Sequence, residues 1–286
     1  MCRLFGFRSF ISSQVHSSLV AAENALGAQS NRNPDGWGVA YYVQGAPHLT
    51  RSPTLALGDQ LFHRLSGVVA SQTVLAHVRK ATQGPQGALN CHPFQFGPWV
   101  FAHNGDIPGF SEQLSVPLRR EIAPELRRFV LGETDSETLF HILMTALQAG
   151  IQGGSTPTLE NVVDAVKRTL ERVREVCARQ GVASDVLLTF IITNGDILVA
   201  TQGGKELLFS THKTSCPDRE TCPSFTPACE APFPGGRVSH LIVSSERLQG
   251  QSVWQELAPG DILGVDANMR VAHARLGLSD RASRSS

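Results

Sequence analysis

Residues 158–179 carry Leu159, Val162, Val163, Val166, Leu170, Val173 and Cys177 at three- and four-residue spacing, which predicts one long amphipathic helix. Thr158 is placed to cap it, with Glu160 and Asp164 near its positive end. Such a helix needs an apolar surface to lie on. Just ahead of it, residues 136–149 set Leu139, Ile142, Leu143 and Leu147 on one face, a second helix. On both sides of this pair the pattern changes to short apolar runs broken by turn residues. Strands are expected at 3–7, at 36–43 after Asn33-Pro34-Asp35-Gly36, at 74–79 before Gly84-Pro85-Gln86-Gly87, and at 99–103 before Asn104-Gly105. After the helices come 186–192 and 197–201 about Asn194-Gly195, then 207–209, 241–244, 262–265 and 269–272. A further helix is expected over 17–28. Strands, two helices and strands again, with hairpins outnumbering strand-helix-strand units, predict an α+β fold. At 41% hydrophobic and 17% charged, the chain is expected to bury a core as one domain over 2–275, with a disordered tail at 276–286.

Charge narrows the function. The 25 basic and 25 acidic residues cancel and no long run of one sign occurs, which argues against a nucleic-acid binder or an electrostatic membrane binder. The longest strongly apolar stretch, 186–192, is far too short to span a bilayer. Arg3 and Arg8 interrupt what a signal peptide would keep apolar, so the expected location is cytoplasmic. Cys2, Cys91, Cys177, Cys216, Cys222 and Cys229 are then expected to stay reduced. His212 with Cys216, Cys222 and Cys229 is irregularly spaced for zinc, so no metal is expected, and Cys177 on the helical stripe reads as core. The segment 216–236, rich in Pro, Cys and Gly, reads as an irregular loop.

Four places carry possible chemistry. Methionine ahead of a small residue is expected to be removed, leaving Cys2 with both a thiol and a free amine usable near neutral pH. Arg79, at a strand end before Ala81-Thr82-Gln83-Gly84, presents either a fixed cation for a carboxylate or an ordinary solvated guanidinium. His103-Asn104-Gly105 offers either an oxyanion site, from the Asn amide and the Gly N–H, or a plain hairpin turn. Asp135, in Thr134-Asp135-Ser136-Glu137, faces a substrate ammonium or simply caps the helix behind it.

Taken together and in order, these pieces resemble the glutaminase domain of class II amidotransferases. Its motifs read here as the N-terminal Cys2, Arg79-x-Ala81-Thr82, His103-Asn104-Gly105 and Thr134-Asp135-Ser136-Glu137. Asn90-Cys91-His92-Pro93 resembles the N-x-H-P turn of that family. Asp35-Gly36-Trp37-Gly38 and Ser244-Ser245-Glu246-Arg247-Leu248 resemble segments of its stand-alone, YafJ-type and γ-glutamyl hydrolase branch. Synthase-linked members carry Trp and His where this chain has Lys80 and Gln83. The resemblance implies the four-layer α/β/β/α sandwich of N-terminal-nucleophile hydrolases. It further implies Cys2, Asn104 and Gly105 as catalytic groups, with Arg79, Thr82 and Asp135 as substrate-binding groups. No cofactor is needed, and the expected partner is a small γ-glutamyl compound. Two alternatives remain open: a glutaminase passing ammonia to a partner protein, and a non-catalytic γ-glutamyl sensor.

Overall fold

The computed structural model describes residues 2–277, apart from 16, 23, 152–154, 183–185, 217–218, 221, 223–224 and 232–235. Two-residue alternation builds its centre, because successive side chains of a strand leave opposite faces of a sheet. Strand β1 (Arg3–Gln14) turns Leu4 to one apolar cluster and Phe5 and Phe7 to another. It lies between β4 (Ala70–Val78) and β10 (His240–Ser244). With β2 (Trp37–Val43), β3 (Ala46–Ser52), β9 (Leu208–Ser210) and β11 (Gln255–Glu256), these form a seven-stranded sheet in the order β11-β9-β10-β1-β4-β2-β3. The second sheet holds β5 (Phe94–Phe96), β6 (Trp99–Asp106), β7 (Leu187–Thr193), β8 (Leu198–Thr201), β12 (Asp261–Val265) and β13 (Val271–Arg275). Its order is β13-β12-β8-β7-β6-β5, and every strand pairing in both sheets is antiparallel.

Facing residues of the two sheets share one core: Leu4, Ala40, Leu75 and Val243 from the first, Val100, Ala102, Ile191, Leu198 and Leu263 from the second. The alternate residues face outward. Phe101, Phe190, Ile192 and Val199 pack under α4 (Asp135–Gly150) and α5 (Leu159–Arg179), with α3 (Ser115–Arg120) joining through Leu118. Phe5, Phe7, Val39 and Val74 pack under α1 (Leu26–Gln29) and α2 (Gln60–Val68) through Leu26 and Phe62. Helices, sheet, sheet, helices: the layers are those of an α/β/β/α sandwich.

The two central helices stand where periodicity puts them, and Thr158 caps α5 in a reciprocal box with Asn161. Three readings need correction. Residues 17–28 are not one helix: a π-type turn, Ser17–Ala21, and α1 are separated by extended backbone at Ala25. No side chain caps α1, and Gly27 packs tightly against Phe62 and the Leu19 carbonyl, so tertiary contact sets the path there. Asn104-Gly105 is not a turn: β6 runs on through both, pairing them with Thr189 and Leu188. Leu276, assigned to the tail, is buried and its N–H donates to Gly260 O at 2.8 Å. Gly277 is exposed, and the remainder of the expected tail, 278–286, lies outside the described residues.

Candidate active site

The register of β1 on β4 pairs Arg3 with Val78, which sets Cys2 beside Arg79 and Lys80. The Cys2 thiol is buried between backbone groups of one residue, 3.3 Å from Lys80 N–H and 3.4 Å from Lys80 O. This strand end is held from behind by the Asp35-Gly36-Trp37-Gly38 turn. Arg79 N–H donates to Gly36 O at 2.7 Å, and Ala81 N–H donates to Asp35 Oδ2 at 2.8 Å. A β-carbon on Gly36 would run into Cys91 Sγ, and one on Gly38 into the His92 carbonyl, so the two glycines permit close approach of residues 91 and 92.

Arg79 is buried, and its guanidinium organises the loop that follows. Nη2 donates to Gln83 O at 2.8 Å and Gly84 O at 3.2 Å, and Nη1 to Pro85 O at 3.3 Å. A guanidinium has five N–H groups, so these three bonds leave donors for a further acceptor. Asp135 opens α4, but the cap is Thr134, whose hydroxyl accepts from Glu137 N–H at 3.2 Å. Asp135 is thereby free of the capping role. Its carboxylate instead accepts from Ile107 N–H at 2.9 Å and Ser136 N–H at 2.8 Å, with Ser136 Oγ 3.2 Å from the same carboxylate. Glu137 takes Leu131 N–H at 3.1 Å and Gly132 N–H at 2.6 Å, closing the loop ahead of the helix.

Cys2, Arg79, Thr82, Gly105 and Asp135 line one pocket, together with Lys80, Gln83, His92, His103, Thr134 and Ser136. Asn104 is not part of that lining. Its amide donates toward Ser245 Oγ at 3.5 Å, and the same hydroxyl accepts Leu4 N–H at 2.9 Å, so Ser245 links Asn104 to the strand bearing Cys2. Gly105 is required by space: a β-carbon there would strike the Leu187 carbonyl and the His103 ring. A more open cleft of about 350 Å3, lined by Phe94, Phe96, Phe129 and His141, contains none of the expected site residues.

Burial dominates the electrostatics. It pushes the Cys2 thiol up, against the opposing pull of Lys80 N–H and Arg79, so the resting sulfur is protonated. It also pushes the Asp135 carboxyl up, with the Ile107 and Ser136 N–H groups pulling it back. His103 is held neutral by burial. Its Nε2, facing Leu187 O at 3.0 Å, must be the protonated nitrogen, which leaves Nδ1 to accept from Ser136 Oγ–H at 2.9 Å. The His77 and His92 rings lie with centroids 4.2 Å apart at a tilt of 41°, and neither ring nitrogen of His92 has a hydrogen-bond partner. Burial lowers the first to about 3 and pushes the second well below its ordinary value.

Ser245 and Asn90, absent from the expected site residues, each hold a backbone group far away in the chain, Leu4 N–H and Glu133 N–H. Cys177 is fully buried in the helical core, its thiol pushed up to about 11 by burial. Among the described residues no group of three or more His, Cys, Asp or Glu is gathered to hold a metal, and Cys216, Cys222 and Cys229 are free thiols. No helix among them is long and apolar enough to cross a membrane. None of the described residues of 216–236 lines the Cys2 pocket.

Comparison with known proteins gives the family and the fold. The Saccharomyces cerevisiae protein named probable glutamine amidotransferase DUG3 is 32% identical over 187 residues, 59% of this chain and 51% of that protein. A Mycobacterium tuberculosis protein named gamma-glutamyl-hercynylcysteine sulfoxide hydrolase is 42% identical over 76 residues, 26% of this chain and 33% of that one. The chain thus spans about half or less of the length of these relatives. A solved structure, the glutamine aminotransferase class-II domain protein from Silicibacter pomeroyi, superposes with a TM-score of 0.64 at 21% identity, covering 96% of this chain and 99% of its own. That likeness speaks for the fold. A family model described as glutamine amidotransferases class-II matches residues 1–276. The chain belongs to the class II glutamine amidotransferases.

Proposed function

We propose that this enzyme hydrolyses the γ-amide of a γ-glutamyl compound larger than glutamine, with Cys2 as N-terminal nucleophile. The observation that carries the reading is the seat of the Cys2 sulfur, fixed on Lys80 backbone in the pocket that Arg79, Gly105 and Asp135 also line. Because burial keeps the thiol protonated, attack needs a base, and both nitrogens of His103 are already engaged. Removal of Met1, which lies outside the described residues, supplies that base as the Cys2 amine.

In this reading Sγ bonds to the δ-carbonyl carbon while its proton passes to the Cys2 amine. The Gly105 N–H and the Asn104 amide hold the oxyanion. The ammonium then protonates the departing nitrogen, the C–N bond breaks, and water cleaves the glutamyl thioester to free glutamate and regenerate the thiol. The free donors of Arg79 take the α-carboxylate, and Asp135 takes the α-ammonium. This clamp grips the glutamyl half alone, so the leaving amine is recognised elsewhere. Lys80 and Gln83, both on the pocket lining, stand where synthase-linked members carry other residues. The mycobacterial relative, by its name, acts on a large γ-glutamyl compound, which supports the same choice. The test is glutamate release from glutamine and from a panel of γ-glutamyl peptides and amines. The expected result is a higher kcat/KM for a larger amide and loss of release in Cys2→Ala. Glutamine as best substrate, with ammonia release stimulated by a co-purifying protein, would favour ammonia transfer instead.

A further inference from the structure

The two poles of the proposed clamp stand on different elements, Arg79 at the end of β4 and Asp135 in the first turn of α4. One buried side chain spans the gap. Asn90 Nδ2–H donates to Pro85 O at 2.9 Å, and Asn90 Oδ1 accepts from Glu133 N–H at 2.9 Å. Pro85 O is also an acceptor for Arg79 Nη1, so the Asn90 amide and the guanidinium fix the same carbonyl. Glu133 immediately precedes the Thr134 cap, so the other half of the amide holds the turn that delivers Asp135. The surroundings are built closely around this group. A β-carbon on Gly84, which has φ +72°, would lie 3.1 Å from Asn90 Nδ2, and one on Gly132 would collide with Asn90 Oδ1.

We propose that Asn90 is a positioning residue that sets the spacing between the carboxylate pole and the ammonium pole of the substrate site. The proposal rests on the clamp reading above. A carboxamide suits the task because one end donates and the other accepts, whereas a carboxylate can only accept. Asn90→Asp therefore separates the two functions. It keeps an acceptor for Glu133 N–H, loses the bond to Pro85 O, and brings an anion beside the loop that Arg79 organises. The carboxylate pole is disturbed and the ammonium pole is kept. Asn90→Ala disturbs both.

The experiment uses three chromogenic anilides: γ-glutamyl p-nitroanilide, the glutaryl analogue lacking the α-amine, and the γ-aminobutyryl analogue lacking the α-carboxylate. The ratio of kcat/KM between the full substrate and each analogue reads one pole. Arg79→Gln and Asp135→Asn calibrate the readout, each abolishing one preference. For Asn90→Asp, preference over the γ-aminobutyryl analogue should fall by about tenfold or more through KM, as expected for losing a charged contact, while preference over the glutaryl analogue stays within about twofold. Asn90→Ala should lose both preferences; if it does not fold, Asn90→Ser replaces it. Unfolding midpoints of all variants report whether the fold survives. Equal loss of both preferences in Asn90→Asp, or a fall in kcat with both preferences intact, would overturn the brace while leaving the clamp standing. Intact preferences in the Arg79 and Asp135 variants would remove the clamp, and the brace with it.

Discussion

Cys2 is buried where its neutral thiol is favoured, and the groups nearest its sulfur are backbone atoms of Lys80 rather than a side-chain base. Chemistry at this residue depends on what surrounds it, and single substitutions should separate those contributions. Asn104→Ala should lower kcat by about a hundredfold or more, the scale for losing one oxyanion donor, with KM little changed. Steady-state rates on one substrate check this, and an unchanged kcat would remove Asn104 from the reaction. Asp135 yields a prediction about pH. Its carboxyl is raised by burial, so the charge facing the substrate ammonium is lost as pH falls through a value above the ordinary carboxylate range. KM should rise on that acid limb for substrates with an α-amine, and the limb should disappear in Asp135→Asn. Retention of the limb in that variant would assign it to another group. Cys2, Arg79, Thr82, Gly105 and Asp135, which share the pocket, were legible in the sequence because each sits in a short local motif. Asn90 and Ser245 also sit in short motifs, but what each of them holds in place was not legible. Their bonds reach Glu133 N–H, 43 residues away, and Leu4 N–H, 241 residues away, and no local pattern encodes a partner at that distance.

At the scale of elements, β6 carries the sharpest lesson. Asn-Gly is a strong hairpin signal, yet here it lies within a strand, because β7 pairs with it and the Gly105 position has no room for a side chain. Gly105→Ala should therefore destabilise the fold as well as damage turnover, by roughly 1–3 kcal/mol as for other overpacked sites. Urea unfolding measures the first effect. The apolar run of β6 was readable, and so was the long stripe of α5, since such patterns survive whatever packs on them. The interrupted segment at 17–28 was not. Its side-chain spacing permits a helix, but Gln29 Nε2 donates to Asn24 O at 2.8 Å and Asn33 Nδ2 to Gln29 O at 2.9 Å, local bonds that compete with a continuous ladder. Phe101 shows what the layers are worth: fully buried between Phe140 and Phe190, with centroids 5.2 and 5.0 Å away, it joins β6 to α4. Phe101→Ala should cost about 3–5 kcal/mol of stability. A loss below ~1 kcal/mol would mean that this face is loosely packed.

Across the whole molecule, the two sheets bury histidines that must stay neutral. His77 is lowered from 6.5 to about 3 and His240 from 6.5 to about 4, chiefly by burial. Between those values and 6.5 the unfolded chain binds these protons and the folded one does not. Stability therefore rises with pH through that window and is lost as acid is added, by up to about 1.4 kcal/mol per pH unit per histidine. Asp135, whose raised carboxyl binds its proton in the folded state first, works in the opposite sense. The urea midpoint should fall between about pH 6.5 and about pH 4, and His77→Phe should flatten that slope. A flat wild-type profile would contradict the burial account. The sandwich that creates these sites also brings Cys2 to the end of β4, so the proposed chemistry depends on Cys2 being the first residue of the mature protein. Acid-quenched turnover of a γ-glutamyl substrate, followed by intact-mass and peptide mapping, tests it most directly. The expected result is protein lacking Met1, with one glutamyl group attached through Cys2 sulfur. Full activity in protein that retains Met1, or a glutamyl group carried by any other residue, would contradict it.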